Sequence, residues 1–187
     1  IADAALLVLL RDAKSRQHLH EIGVDHDRLE VVSDSVFALA NAVWLKAPPK
    51  RAGVRPLRVA VSVRRWTHFE GRDRTTGTER YEAAVAAAVS ALVRERNAEV
   101  VFLSTCQGIP KYLYDDSLIA DRICERLEPD VRRAVRVDHE FHSPSALMEA
   151  LRDFDFAIST RMHMAILGLC AGLPVLPIAY EFKTTEL

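Results

Sequence analysis

Apolar residues along this chain fall into short dense runs, and stretches of helical period separate them. "LRVAVSV" (57–63) and "AEVVFLS" (98–104) are two such runs. Val, Leu, Phe and Ala this dense, with only two polar positions in each run, predict buried strands. Between them, Tyr81, Val85, Val89 and Leu92 recur on one helix face in an alanine-rich segment from Glu79 to Arg96. Thr76 with Glu79 predicts a capping box at its start. The alternation continues with a helix from Asp115 to Leu127, a strand at 133–138, and a helix to Arg152 that Ser143 caps and Pro144 opens. "DFAI" (155–158) predicts another strand, 161–171 a helix closed by Gly172 and Pro174, and "PVLPI" (174–178) a last strand.

The first part of the chain is shorter on signals. "AALLVLL" (4–10) predicts a buried parallel strand, a helical stretch ends near Ile22 and Gly23, and "RLEVVSD" (28–34) predicts a second strand. "KAPPKRAGVRP" (46–56) is rich in proline and charge without periodicity, as linkers are. The expected division is therefore 1–45 as the tail of an incomplete N-terminal α/β domain, 46–56 as linker, and 57–187 as a truncated C-terminal Rossmann-like domain. Strand and helix alternating this strictly predict right-handed crossovers and a doubly wound parallel sheet. The start at Ile1 and the stop after an apolar strand fit a piece of a longer protein.

Composition narrows the classes. Of 187 residues, 49% are apolar and 27% charged, which excludes a disordered chain. A formal net charge of -1 supplies no global field for nucleic acid or an anionic membrane. No apolar run approaches the roughly 20 residues of a spanning helix. Cys106, Cys124 and Cys170 lie far apart without metal-ligand spacing and read as reduced thiols, Cys106 standing after a strand. "HEFH" (139–142) lacks the i, i+4 pairing of a zinc helix, so no metal is expected. There is no Gly-x-Gly-x-x-Gly and no Walker loop, so no nucleotide cofactor is implied.

Ligands of doubly wound sheets sit beyond the carboxyl ends of the strands, which directs attention to the loops at 64–77, 104–114 and 159–163. A helix starting at Ser159 or Thr160 would turn unpaired amides and a positive dipole end outward. Such a mouth attracts anions. Arg161 adds a planar fork for phosphate or carboxylate, and His163 a group that can change protonation near neutrality. Met162, Ala165, Ile166 and Leu169 are expected to form the buried stripe. The stretch alone leaves a second reading open, in which Arg161 pairs with a carboxylate and His163 is an interior histidine. Arg64, at the end of a buried strand, is a second candidate anion clamp. Arg65, Arg72 and Arg74 read as solvated, and Trp66, His68 and Phe69 as sugar-facing or simply packed. "STCQG" (104–108) sits at a strand end without a specific motif.

"DFAISTRMHMAILGLCAGLPVLPIAYEFK" resembles the signature segment of the polysaccharide pyruvyl transferase family: strand, Arg-(Leu/Met)-His at a helix start, apolar helix, Gly-x-Pro, strand, then Tyr and a nearby Lys. "VLLRDAKSRQHLHEIGV" and "VVSDSVFAL" are similar to its Arg-Asp-x-x-Ser helix and Asp-x-x-Phe turn, and "VAVSVR" to the strand opening its C-terminal domain. The resemblance implies a two-domain glycosyltransferase-B-like architecture and a cytoplasmic enzyme that can touch the membrane face. It implies transfer of pyruvate from phosphoenolpyruvate onto two hydroxyls of a glycan or lipid-linked sugar, with no other cofactor. By position, Arg64 and Arg161 would hold the donor, with Met162 beside them, and His163 would be the general acid/base. Lys183 could neutralise donor charge, while Tyr180 and Glu181 match the motif without an assigned role. A nucleotide-sugar glycosyltransferase of the same architecture and a non-catalytic anion-sensing module are the alternatives.

Overall fold

The computed structural model describes residues 4–40, 55–65, 73–107, 115–180 and 182–185. Its centre is a five-stranded, all-parallel sheet in the order β5-β4-β3-β6-β7. The strands are β3 (Leu57–Ser62), β4 (Ala98–Phe102), β5 (Val135–Val137), β6 (Phe156–Ser159) and β7 (Val175–Pro177). Counted within this sheet the order is 3-2-1-4-5, a Rossmann-like winding whose direction reverses between β3 and β6. Val59 pairs with Phe156 and Ser62 with Ser159, so these two strands end level with each other.

The dense apolar runs are explained by coverage on both faces. Val59, Val61, Val100 and Phe102 pack on one side with Val89, Ile119, Ile123 and Val131. These come from α2 (Arg74–Arg96), α3 (Asp116–Glu125) and the short α4 (Pro129–Arg132). Ala60, Val101, Leu103 and Ala157 point the other way, onto Leu147, Leu151, Met164 and Ile166 of α5 (Pro144–Leu151) and α6 (Met162–Cys170). The period-2 alternation of a pleated strand puts these alternate residues on opposite faces.

Several boundaries differ from expectation. The helix α2 begins at Arg74, because Asp73 rather than Thr76 caps it, accepting from the Thr76 amide at 3.3 Å. It closes on Asn97 in the left-handed region at φ 49°. Asp115 and Ser143 cap α3 and α5 through Ser117 and Ala146, and Pro144 occupies the first turn. The buried stripe of α6 is Met164, Ala165, Ile166, Leu167 and Cys170; Leu169 is 39% exposed, one position off the face that packs on the sheet.

The N-terminal part forms a separate two-stranded parallel sheet of β1 (Val8–Leu10) and β2 (Leu29–Val31), joined by α1 (Ala13–Glu21). Only three residues of the 4–10 run are strand, and Leu6, Leu7 and Leu9 are more than half exposed. Two paired strands cannot enclose both faces, so the expectation of burial fails there. A 3-10 turn at Ser35–Leu39 carries Val36 and Phe37 onto the α6 side of the core, and Cys170 Sγ lies 3.7 Å from the Val36 carbonyl oxygen. Of the proposed linker 46–56, positions 46–54 lie outside the described residues.

At Gly168 the helix α6 comes close to β7: an added Cβ would stand 2.8 Å from Val175 Cγ2. Gly168→Ala gains about 1 kcal/mol of helix propensity but overpacks at a cost of about 1–3 kcal/mol. The variant is therefore expected to unfold at lower urea than the parent. An unchanged midpoint would mean that β7 yields.

Candidate active site

Three strand ends supply the site. The chain leaves β3 into Arg64, β4 into Ser104–Cys106, and β6 into Thr160–Arg161. A cavity of about 560 Å³ opens there, lined by Arg64, Cys106, His142, Arg161, Met162 and His163. Arg11, Val36 and Leu39 line it from the N-terminal part. Arg11 reaches Asp34, which caps the 3-10 turn, at 3.3 Å, so the Arg-Asp and Asp-x-x-Phe stretches converge on this cavity. Among the described residues that line it there is no carboxylate, and three guanidiniums, those of Arg11 and Arg161 paired with carboxylates behind the lining, offer donors to an anionic occupant.

The mouth of α6 differs from the expected one. Ser159 closes β6, Thr160 is buried, and the helix starts at Met162 with Arg161 in the N-cap position and no side-chain cap. Its first intrahelical bond runs from the Ala165 amide to the Arg161 carbonyl oxygen at 3.1 Å. The earlier amides therefore have no carbonyl one turn back. His163 is exposed here and Met162 half-buried.

Arg161 does not project as a free fork. Its Nε and Nη2 donate to Asp116 Oδ2 and Oδ1 at 2.7 and 2.6 Å, a bidentate pair with the carboxylate 1% exposed and the guanidinium side chain 22% exposed. Ser104 Oγ donates to the same Oδ2 at 2.9 Å and accepts from the Cys106 amide. Burial by itself would lower the Arg161 pKa; the hydrogen bonds and charge of Asp116 outweigh it, and the net shift is upward. Of the two readings the sequence left open, the carboxylate partner is observed and the interior histidine is not. One edge of the guanidinium, Nε with Nη2, is fixed by Asp116, and among the described residues no side chain takes the Nη1 donors.

Arg64 takes a different posture. Its guanidinium carbon lies 4.7 Å from the centre of the Tyr180 ring, within cation–π range, and its amide donates to Tyr81 Oη at 3.4 Å. Thr160 Oγ1 spends its one proton on the Ser62 carbonyl oxygen at 3.1 Å. In the 3.4 Å contact between Tyr81 and Thr160 the phenol is therefore the donor. Burial pushes the Tyr81 phenol up, which keeps it a donor at neutral pH. Tyr81 thus ties the ends of β3 and β6 together beneath Arg64 and Arg161.

The family model for polysaccharide pyruvyl transferase matches residues 1–181. The chain belongs to that family. It is also similar to the amylovoran biosynthesis protein AmsJ of Erwinia amylovora, 29% identical over 183 residues, which is 95% of this chain and 43% of AmsJ. The chain thus spans less than half the length of that relative.

Arg64, Arg161, Met162 and His163 of this pyruvyl transferase family member are brought together in one cavity. Lys183 lies in α7 (Phe182–Thr185), and its side chain is outside the description, as are Glu181, Trp66, His68, Phe69 and Arg72. Arg65 lines another cavity, between α2 and α3, with Arg122 and Arg126. Asp116, Tyr81 and His142 were missed. Asp116 hides inside a helix-start signal, Tyr81 inside an apolar helix face, and His142 in a tetrapeptide weighed only for metal. Among the described residues, no helix is long and apolar enough to cross a membrane.

Proposed function

We propose that the full-length protein transfers pyruvate from phosphoenolpyruvate to two hydroxyls of a sugar in an exopolysaccharide precursor, releasing phosphate. One observation carries the reading: Arg64, Arg161 and His163, contributed by both sides of the sheet's reversal point, line one cavity. The donor has a phosphate and a carboxylate. Arg64 and the open edge of Arg161 supply donors for these anions, and the uncapped start of α6 adds its dipole. In this reading Lys183 serves as a further counter-charge to the donor, and Met162, which lines the cavity, as an apolar wall for the methylene.

The chemistry follows from the atoms. Two C–O bonds form between the sugar oxygens and donor C2, and the bond from C2 to the phosphate oxygen breaks. Two hydroxyl protons leave; one ends on the methylene carbon, making the methyl group, and the other on the departing phosphate. His163 delivers the proton to carbon as general acid. Arg161, held by Asp116, cannot swing away from the donor, so its position is prepaid in folding rather than in binding.

In this reading residues 57–187 are the donor-binding half of a glycosyltransferase-B-like pair, and 1–45 belong to the other half across the cleft. The acceptor is a glycan or lipid-linked sugar on the cytoplasmic side. The test incubates full-length protein with phosphoenolpyruvate and a set of p-nitrophenyl hexopyranosides. Phosphate release together with a pyruvate ketal by mass spectrometry is the expected result. Turnover of a nucleotide-sugar instead, or donor binding without release, would replace this reading with the glycosyltransferase or the anion sensor.

A further inference from the structure

We infer that His142, oriented by Asp138, is the base that takes the proton of the first attacking sugar hydroxyl; the inference rests on the transfer reading above. Asp138 follows β5, and its amide donates to the Phe102 carbonyl oxygen at 3.0 Å, which anchors it to the end of β4. Its Oδ1 accepts from the Glu140 amide at 2.9 Å, and its Oδ2 stands 3.2 Å from His142 Nε2. Both side chains are largely buried, 14% and 17% exposed. His142 nevertheless lines the same cavity as His163.

A carboxylate on Nε2 places the neutral ring's proton there and leaves the lone pair on Nδ1. The same carboxylate stabilises the ring once it has accepted a proton, the logic by which an acid orients a catalytic histidine. The reaction needs such a second group. When the first hydroxyl adds to C2, a proton must arrive at the methylene carbon as another leaves the hydroxyl. One imidazole cannot be protonated for the first task and neutral for the second.

With two, the cycle closes. His163 protonates carbon while His142 accepts the first hydroxyl's proton. The His142 imidazolium then gives that proton to the departing phosphate. His163, now neutral, takes the second hydroxyl's proton as the ketal closes, and both rings return to their starting states. Besides Asp138, which touches the ring without lining the cavity, the ionisable side chains that line it with His142 among the described residues are Arg11, Arg64, Cys106, Arg161 and His163.

The test uses full-length protein, phosphoenolpyruvate and the p-nitrophenyl hexopyranoside that best supports phosphate release. His142→Gln is expected to lower kcat by about 10²- to 10⁴-fold, with the donor Kd from calorimetry moved by less than about twofold. Added imidazole should restore part of the turnover of His142→Ala, which a purely structural role would not allow. Asp138→Asn is expected to lose less, because an amide oxygen can still hold the ring in place but offers it no charge. It carries the same test where His142→Gln does not fold. Turnover by His142→Gln at the parent rate, or a loss of rate matched by loss of donor binding without imidazole rescue, overturns the dyad alone. A parent protein that releases no phosphate with any acceptor overturns the transfer reading and this inference together.

Discussion

Asp116→Ala is expected to destabilise the protein by about 3–5 kcal/mol, the cost of leaving one member of a buried ion pair without its partner. For a chain of this size each kcal/mol lowers Tm by roughly 2–4 °C, so the drop should be roughly 6–20 °C. The residue carries this weight because three donors converge on a carboxylate with 1% exposure: Arg161 Nε, Arg161 Nη2 and Ser104 Oγ. Surface ion pairs elsewhere in the molecule are a useful contrast. Arg94 and Asp130 make an equally bidentate pair with both side chains at least half exposed, and exposed pairs contribute at most about 1 kcal/mol.

Stability and function should separate in the double variant Asp116→Leu with Arg161→Met. Replacing a buried pair by apolar side chains of similar bulk often restores stability. The double variant should thus recover much of the lost Tm while failing to bind phosphoenolpyruvate. Differential scanning calorimetry and donor titration on the same samples check both. A single variant, Asp116→Ala, melting with the parent would show that Arg161 finds another partner, and the fixed-fork account would fail.

The sheet was legible because its evidence is local. The dense apolar stretches at 57–63 and 98–104, broken only by Arg58, Ser62 and Glu99 before the closing Ser104, match strands with both faces covered, and Ser143-Pro144 and Gly172-x-Pro174 mark helix ends by their own backbone preferences. The start of α2 was misread because Thr76 and Asp73 both satisfy a capping rule, and only the three-dimensional path chooses Asp73. The site was half legible. Strand-end arithmetic placed Arg64 and Arg161 on one edge, but not the bond from Arg161 to Asp116, 45 positions away. Partners at that separation leave no mark in periodicity. The same holds for Tyr81, which reads as an ordinary position on an apolar face until Thr160 and the Arg64 amide are seen beside its hydroxyl.

His163→Asn is expected to lower turnover by about 10²- to 10⁴-fold, the usual contribution of a positioned acid, while the donor Kd changes by no more than about twofold. The split follows from where the groups stand. Arg64 and Arg161 can meet anionic oxygens that the donor carries before and after reaction, so their loss weakens ground-state binding. His163, exposed at the second position of α6, meets a carbon that becomes basic only as the C–O bond forms, so its contribution exists only in the transition state. Arg64→Ala should accordingly raise KM more than it lowers kcat, the reverse of His163→Asn. Steady-state kinetics on both variants, with calorimetric Kd values for phosphoenolpyruvate, test the pair. If His163→Asn instead loses donor affinity in proportion to rate, the ring is a binding contact. The proton delivered to carbon would then have to come from another group in the cavity, of which Cys106 and His142 are the remaining candidates among the described residues.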